Sequence, residues 1–367
     1  MLYPVCYLFP LVAFAVAMFC GADTEAWYVY LIFTAAAEGL IYLCFYLLSR
    51  DTEYLSGYVV ETEHHFAWTE RVEYTENHTD SKGNVHTERK VRYVHHPDEY
   101  FWILNTGKNY PVSAGSFHEL CRRWGTGTTY IAVYHPNCVS GGGGECCRWD
   151  GDEYNTHTAT YTQRYKNPVQ DSSSIFRGSL ISKKKAKELG LMAYPKIRHL
   201  EQEVVLVSDG LEKPADWENA NFELQHLNAF EGSTHEIHAF ILLFPADKGP
   251  EIALKQRDYW EGLNKNEFVV CLGINEGKVV WCMPMSWMDA PTLESKTKSY
   301  FREHESLDLL SFVSWLRSNL YSWKRKEFKD FSYLGIHLSP KKTVLFVIIS
   351  IVLSVLLCWG CFAMGMG

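Results

Sequence analysis

Residues 27–48 read WYVYLIFTAAAEGLIYLCFYLL, an apolar run that holds one charged residue, Glu38. A helix of about 20 apolar residues is long enough to cross the hydrocarbon core of a bilayer. Residues 2–20 and residues 343–363 form two further runs, and neither carries a charged side chain. The first of these lacks the basic start and the small-residue cleavage pattern of a signal peptide. The sequence therefore predicts three transmembrane helices, two near the N-terminus and one near the C-terminus.

The distribution of Lys and Arg predicts the orientation of these helices. The loop at residues 21–26 and the residues after 363 contain no basic side chain. The segment before the last run contains several: Lys324, Arg325, Lys326, Lys329, Lys341 and Lys342. Cytoplasmic flanks are enriched in Lys and Arg, so residues 49–342 are expected in the cytoplasm of a multi-pass inner-membrane protein. The same basic residues are the expected lipid anchors, because each gains about 1 kcal/mol near an anionic surface.

Composition narrows the possible partners. The chain has 367 residues and a net charge of -8, which argues against nucleic acid because proteins that bind it present basic surfaces. Its 11 Cys are expected to be thiols or metal ligands, since disulfides are rare in the cytoplasm.

Residues 57–103 predict a long β-ribbon. The turn falls at Ser81–Asn84, where a glycine provides the positive φ that tight turns need. A two-residue loop at Lys82-Gly83 pairs Val72 with Tyr93, and it sets acidic residues opposite basic ones further along. Such cross-strand pairs stabilise a sheet, so this register is the predicted one.

The ribbon is also rich in histidine. The predicted register sets Glu70 opposite His95, an acid beside an imidazole that changes charge near neutral pH. A pH- or metal-sensing ribbon and a merely solvated polar edge are the two interpretations. The histidines are His64, His65, His78, His86, His95 and His96.

The remaining pattern divides the cytoplasmic part into a β-rich half and an α/β half, so the fold class is α+β. The predicted boundaries are 1–48 for two membrane helices, 49–170 for the ribbon domain, 175–335 for the α/β domain and 343–363 for the last helix. Strands are predicted at 128–134, 153–165, 236–244, 268–274 and 279–285, and a glycine loop at 141–144. Helices are predicted at 182–189, 215–230, 250–261, 291–303 and 306–326, with another that Ser116 and Glu119 open as a capping box.

Four residues form the best metal candidate: His135, Cys138, Cys146 and Cys147. Zinc takes four nitrogen or sulfur ligands, and a glycine-rich loop can bring distant thiols together. The spacing is irregular for a zinc site. Incidental thiols on an exposed loop, or a disulfide if the topology differs, are the alternatives, so no cofactor other than a possible zinc is expected.

No motif predicts catalysis. The glycine run is not followed by the Lys-Ser/Thr of a phosphate-binding loop, and Cys271 and Cys282 lie on apolar strands where Cys acts as a small hydrophobe. The chain is therefore expected not to be an enzyme, and no catalytic residue is assigned.

Three sequence segments resemble those of an uncharacterised group of membrane-anchored proteins from bacteria and their phages. They are residues 259–270 (YWEGLNKNEFVV), residues 323–334 (WKRKEFKDFSYL) and His95-His96-Pro97. The layout of residues 236–320 also resembles the TPM fold, which implies a membrane-tethered interaction module and, in a few members, a phosphatase. Asp289 and Glu294 stand alone here, without the acidic cluster that binds metal in such a phosphatase.

Glu38 lies near the middle of its apolar run, where a carboxylate costs about 3 kcal/mol or more. Ala35 and Gly39 form a small-xxx-small pair that permits close helix contact, and Tyr42 lies one turn away. No Lys, Arg or His lies in any of the three runs. The expected partners are hydroxyls, a proton, another copy or a second membrane protein. The candidate hydroxyls are those of Tyr7, Tyr42, Ser350 and Ser354.

The sequence thus predicts a membrane-anchored docking or assembly protein, oligomeric through its membrane helices. The alternatives are a membrane-tethered effector or phosphatase-like hydrolase, and an ion-conducting assembly that depends on Glu38.

Overall fold

The structure is a computed structural model. It describes residues 3–19, 27–49, 51–79, 85–124, 128–148, 157–165, 181–260, 262–288, 290–326, 330, 338 and 340–365. Strands and helices are both abundant in these ranges, which confirms the mixed α+β class.

Among the described residues, two helices are long and apolar enough to cross a membrane, rather than the three expected. The described part of the first apolar run, residues 3–19, forms two short helices, α1 (Tyr3–Cys6) and α2 (Leu8–Phe19). At 1.5 Å per residue α2 is about 18 Å long, short of the roughly 30 Å hydrocarbon core. Pro10 explains the break, because its missing N–H would have bonded to the carbonyl of Cys6, where α1 ends. The two long helices are α3 (Trp27–Leu48) and α10 (Pro340–Gly365).

The apolar helices pack together. Ile41 of α3 and Phe346 of α10 are fully buried, and the ring of Phe346 lies 5.5 Å from Phe45 and 6.4 Å from Tyr7. Other apolar side chains of α3 and α10 point outward. A water-exposed surface of this kind is unusual; a lipid-facing one is expected.

The predicted ribbon is present. Strands β1 (Asp51–His65) and β2 (Trp68–Thr79) run outward, and β3 (Val85–His96) and β4 (Glu99–Leu104) run back. The strands β1 and β4 are antiparallel, as are β2 and β3. The predicted turn, Ser81–Asn84, lies outside the described residues.

The register of the ribbon differs from the prediction by one residue. Val72 lies opposite Arg92 rather than Tyr93, and Glu70 lies opposite Val94 rather than His95. A ribbon with two solvated faces specifies its register weakly, since each cross-strand pair contributes only about 0.2–1 kcal/mol. The register is set instead at the base of the hairpin, where Trp68 pairs with His96.

The remaining strands complete two sheets in the β-rich half. The larger has the order β5-β4-β1-β8-β6, with β9 also on β1; the smaller has the order β3-β2-β7. A helix, α4, lies against the larger sheet, and its first turn is capped by Ser113, whose Oγ accepts the N–H of Ser116 at 3.1 Å. Ser116 is therefore not the cap. The elements are β5 (Asn109–Val112), α4 (Ala114–Trp124), β6 (Thr128–Ile131), β7 (Cys138–Gly141), β8 (Gly144–Arg148) and β9 (Thr158–Tyr165).

The four glycines at residues 141–144 lie close to the backbone where β1 ends and β2 begins. A Cβ on Gly141 would lie 2.4 Å from the carbonyl oxygen of Ala67, and one on Gly144 would lie 2.5 Å from that of His64. No side chain fits at either position, so the chain passes close enough for β7 to pair with β2 and β8 with β1. The predicted glycine loop is reduced to two residues, because Gly141 and Gly144 belong to strands.

The α/β half contains a sheet of order β10-β11-β12-β13, in which the first three strands are parallel and β13 is antiparallel. Glu276 and Gly277 both have positive φ in the β12–β13 turn, as a two-residue hairpin requires. The last predicted helix is shorter than expected and ends at Asn319. The elements are α5 (Lys183–Leu189), β10 (Val205–Val207), α6 (Trp217–His235), β11 (His238–Pro245), α7 (Glu251–Tyr259), β12 (Glu267–Asn275), β13 (Lys278–Ser286), α8 (Pro291–Glu303) and α9 (Leu309–Asn319).

Candidate functional site

The outer part of the β2–β3 hairpin stands apart from the rest of the described chain. Strand β2 pairs with β7 only at Trp68–Glu70, and β3 pairs only with β2. Large side chains remain exposed along it: Tyr93 is 66% exposed and Val91 is 43% exposed. A two-stranded hairpin is marginally stable alone in water, so it depends on the contacts at its base.

The base of the hairpin is a stack of aromatic rings. The indole of Trp68 lies 4.2 Å from the ring of His96 and 4.1 Å from that of His135, and both rings are nearly parallel to it. His96 Nε2 also lies 3.0 Å from Glu70 Oε2. The predicted pairing of Glu70 with a histidine is thus made by His96, not His95, because the register is shifted.

A second histidine joins the hairpin to the larger sheet. His64 Nδ1 lies 3.1 Å from Glu145 Oε1, and His64 Nε2 lies 3.1 Å from Asp98 Oδ1. The hydrogen bond from His64 and the N–H of Ala67 lower the pKa of the Asp98 carboxyl. Only a protonated imidazole donates from both nitrogens, so the protonated form satisfies both carboxylates.

The structure does not gather the four metal candidates into one ligand set. His135 and Cys138 both lie beside Gly142. Cys146 and Cys147 are consecutive on β8, where successive side chains point to opposite faces. No group of three or more His, Cys, Asp or Glu side chains placed to hold a metal occurs in the part of the chain that the structure describes.

The residues of the predicted intramembrane site fall on two sides of α3. Ala35, Gly39 and Tyr42 are exposed, and no atom lies within 4 Å of a Cβ built on Gly39. Glu38 is half-buried, and its Oε1 is enclosed with no hydrogen-bond partner among the described residues. The hydroxyls of Ser350 and Ser354 donate instead to the carbonyls of Phe346 and Ser350, each at 2.8 Å.

The predicted lipid anchors differ in their surroundings. Lys324 is exposed, whereas Arg325 is engaged by Glu53 and Glu236 at 2.7 and 2.9 Å. The backbone N–H of Lys326 donates to Met288 Sδ. Lys342 is partly exposed, while Lys329 and the side chain of Lys341 lie outside the described residues. The Arg325 side chain therefore makes its ion pairs within the protein.

No group of acidic side chains placed to hold a metal occurs among the described residues of 236–320, the region compared with the TPM fold from its sequence. Glu294 is half-buried, and burial raises the pKa of its carboxyl. Asp289 lies outside the described residues.

A cleft of about 840 Å³ lies between the β-rich and the α/β halves, and no feature of the sequence predicts it. Its lining includes Arg123, His157, Tyr194, Arg198 and Trp217. Basic and acidic residues both occur around it, and its residues come from segments far apart in the chain. No local motif therefore signals it.

Comparison with protein-family models, with curated proteins and with solved structures finds no match for this chain.

Two histidines, the buried His238 and the largely enclosed His157, make stability depend on pH. Burial lowers the pKa of His157 to about 4, with a further contribution from Arg123 and His226, and lowers that of His238 to about 3. An unfolded histidine has a pKa of about 6.5. Because the unfolded chain takes up protons first, stability is present above about pH 6.5 and falls as the pH drops toward 4.

We expect each of these histidines to reduce the free energy of unfolding by about 1.4 kcal/mol per pH unit in that window. Urea unfolding of the protein at pH 7, 6 and 5 measures the slope. His157→Gln should flatten it, and the exposed His78→Gln should not. Equal slopes in all three proteins would contradict the assignment.

Proposed function

We propose that this chain is a membrane-anchored docking and assembly protein whose interaction element is the β2–β3 hairpin. The observation that carries the proposal is the hairpin itself: a projecting pair of strands of 12 residues each, open along the outer edge of β3. An open edge is a template for a further strand, and exposed tyrosine and valine side chains supply contact area beside it.

The proposed anchor consists of α3 and α10, both crossing the membrane. Their outward apolar side chains support this. With both helices crossing, residues 51–326 lie on one side, and the basic residues before α10 favour the cytoplasm. The β2–β3 hairpin is then a cytoplasmic arm that α3 and α10 tether to the inner membrane.

The outward face of α3 supports self-assembly. Ala35 and Gly39 are exposed there, and small residues let two membrane helices approach closely. A second copy is therefore the partner that we propose first. Hydrolase activity has no comparable support, because no metal-binding group or activated nucleophile was found among the described residues.

Site-specific photo-crosslinking in native membranes tests the proposal. A crosslinker in place of Tyr93 should give a discrete adduct with a second copy. One in place of Tyr321, which is equally exposed at 73%, should not. A crosslinker in place of Glu70 should give the same adduct in the full-length protein. That adduct should disappear when residues 71–93 are replaced by Asn-Gly, a two-residue turn that retains the pairing of positions 70 and 94.

The controls separate loss of docking from loss of fold. The shortened protein should retain its thermal unfolding midpoint, because the removed residues contribute little to the hydrophobic core of the β-rich half or of the α/β half. An equal adduct from both tyrosine positions, or none from either, would overturn the proposal. An adduct with a different membrane protein that requires the hairpin would retain docking but exclude the second copy as partner.

A further inference from the structure

Two thiols meet under α4, away from the hairpin. Cys147 lies directly opposite Thr62 in the antiparallel pairing of β8 and β1, so their side chains share one face of the sheet. Thr62 Oγ1 lies 4.0 Å from Cys121 Sγ on α4, and Cys147 is near enough to contribute to the raised pKa of the Cys121 thiol. Helix α4 thus places Cys121 beside Cys147 of β8.

The neighbouring Cys146 is a built-in contrast. It follows the opposite face of β8, where its thiol is hydrogen-bonded to Glu61. Both Cys146 and Cys147 are buried, whereas Cys121 is partly accessible. An incoming reagent therefore meets Cys121 first, and Cys147 is the thiol behind it.

We propose that Cys121 and Cys147 are a latent disulfide site, which closes by exchange with a small-molecule disulfide such as oxidised glutathione. The Cys121 thiolate attacks one sulfur of the oxidant and releases one glutathione thiol. The Cys147 thiolate then attacks Cys121 Sγ, forms the internal S–S bond and releases the second glutathione. The two cysteines lose two electrons and two protons, and the oxidant is reduced to two thiols.

The site should react slowly at neutral pH. Burial and the adjacent sulfur raise the pKa of Cys121 to about 11, and only the thiolate attacks a disulfide. The same property makes Cys121 a poor leaving group, so the disulfide should resist reduction once it has formed. Closure would join α4 to β8 and enclose β6, β7 and the glycine run in one covalent loop.

Oxidation of the full-length protein in detergent tests the proposal. The protein is incubated with excess oxidised glutathione at mildly alkaline pH, capped with N-ethylmaleimide and analysed by intact mass and peptide mapping. The wild type and Cys146→Ser should each lose two hydrogen atoms and give a Cys121–Cys147 crosslinked peptide. Cys147→Ser should stop at a glutathione adduct on Cys121, and Cys121→Ser should give neither product.

A variant that fails to fold is recognised from its thermal stability. Serine at 147 replaces a buried thiol, so the thermal unfolding midpoint of each protein is measured first, and Cys147→Ala serves if the serine variant is destabilised. A persistent glutathione adduct on Cys121 of the wild type, or a crosslink that requires Cys146, would overturn the proposal. The result does not depend on docking by the hairpin.

Discussion

Replacing Arg325 by methionine is expected to lower the free energy of unfolding by about 3–5 kcal/mol. The Arg325 guanidinium lies 2.7 Å from Glu53 Oε2, and Glu53 is 1% exposed while Arg325 is 17% exposed. A second bond, 2.9 Å long, reaches Glu236 Oε2. Methionine retains the aliphatic stem but leaves the Glu53 carboxylate buried without that guanidinium. Breaking a buried pair from one side is the costly case, since the remaining charge has lost its compensation.

Denaturant unfolding of the full-length protein in neutral detergent, followed by tryptophan fluorescence, measures this loss. Lys324→Met is the matched control, because it removes an exposed charge one residue earlier and should change stability by less than about 0.5 kcal/mol. Adding Glu53→Gln to Arg325→Met should recover part of the loss. Equal effects of the two methionine variants, or a loss that requires anionic lipid, would instead favour Arg325 as a lipid anchor.

The ribbon shows how far the sequence alone could lead. Its alternation and its glycine turn correctly predicted two long antiparallel strands. Its register was wrong by one residue because the pairs along a solvated ribbon are individually weak. At the base of the hairpin Trp68 stacks on His96 and on His135, and His135 lies 67 positions from Trp68 in the chain, so this contact leaves no local pattern.

The α/β half was more predictable, because its core dictates it. Strand β11 is buried along nearly its whole length, and so is β12, and such continuous apolar runs are typical of parallel strands. The N-terminal apolar run was harder to interpret, since its length suggested a membrane helix while Pro10 limited the helix that forms.

The candidate site was only partly visible in the sequence. The abundance of histidine in the ribbon was apparent, but the partners of His64 come from β8 and from the turn between β3 and β4. The metal candidates were close in sequence, yet the alternation of β8 sends Cys146 and Cys147 to opposite faces. Proximity in the chain therefore misled where the topology of the sheet decides the direction of a side chain.

Substituting alanine for Gly273 is expected to have the second large effect, a loss of about 3 kcal/mol. A Cβ there would lie 2.0 Å from Trp281 Nε1 and 2.1 Å from its Cε2. Trp281 is the cross-strand partner of Gly273, and its Nε1–H donates to the carbonyl of Ala246 at 3.1 Å. The new methyl group must displace the indole, which loses that hydrogen bond and its packing on Phe244.

A double-mutant cycle separates this clash from an intrinsic effect of glycine. If the indole is the obstacle, Gly273→Ala should cost nothing further in a Trp281→Ala background, and it should gain up to about 1 kcal/mol there because alanine restricts the unfolded chain. The two substitutions then couple strongly, as residues in contact do. Gly115→Ala, where the nearest atom lies 3.7 Å from the new Cβ, should be neutral or stabilising. Additive losses at 273 and 281 would show that the close approach of Trp281 to the β12 backbone does not determine the choice of glycine.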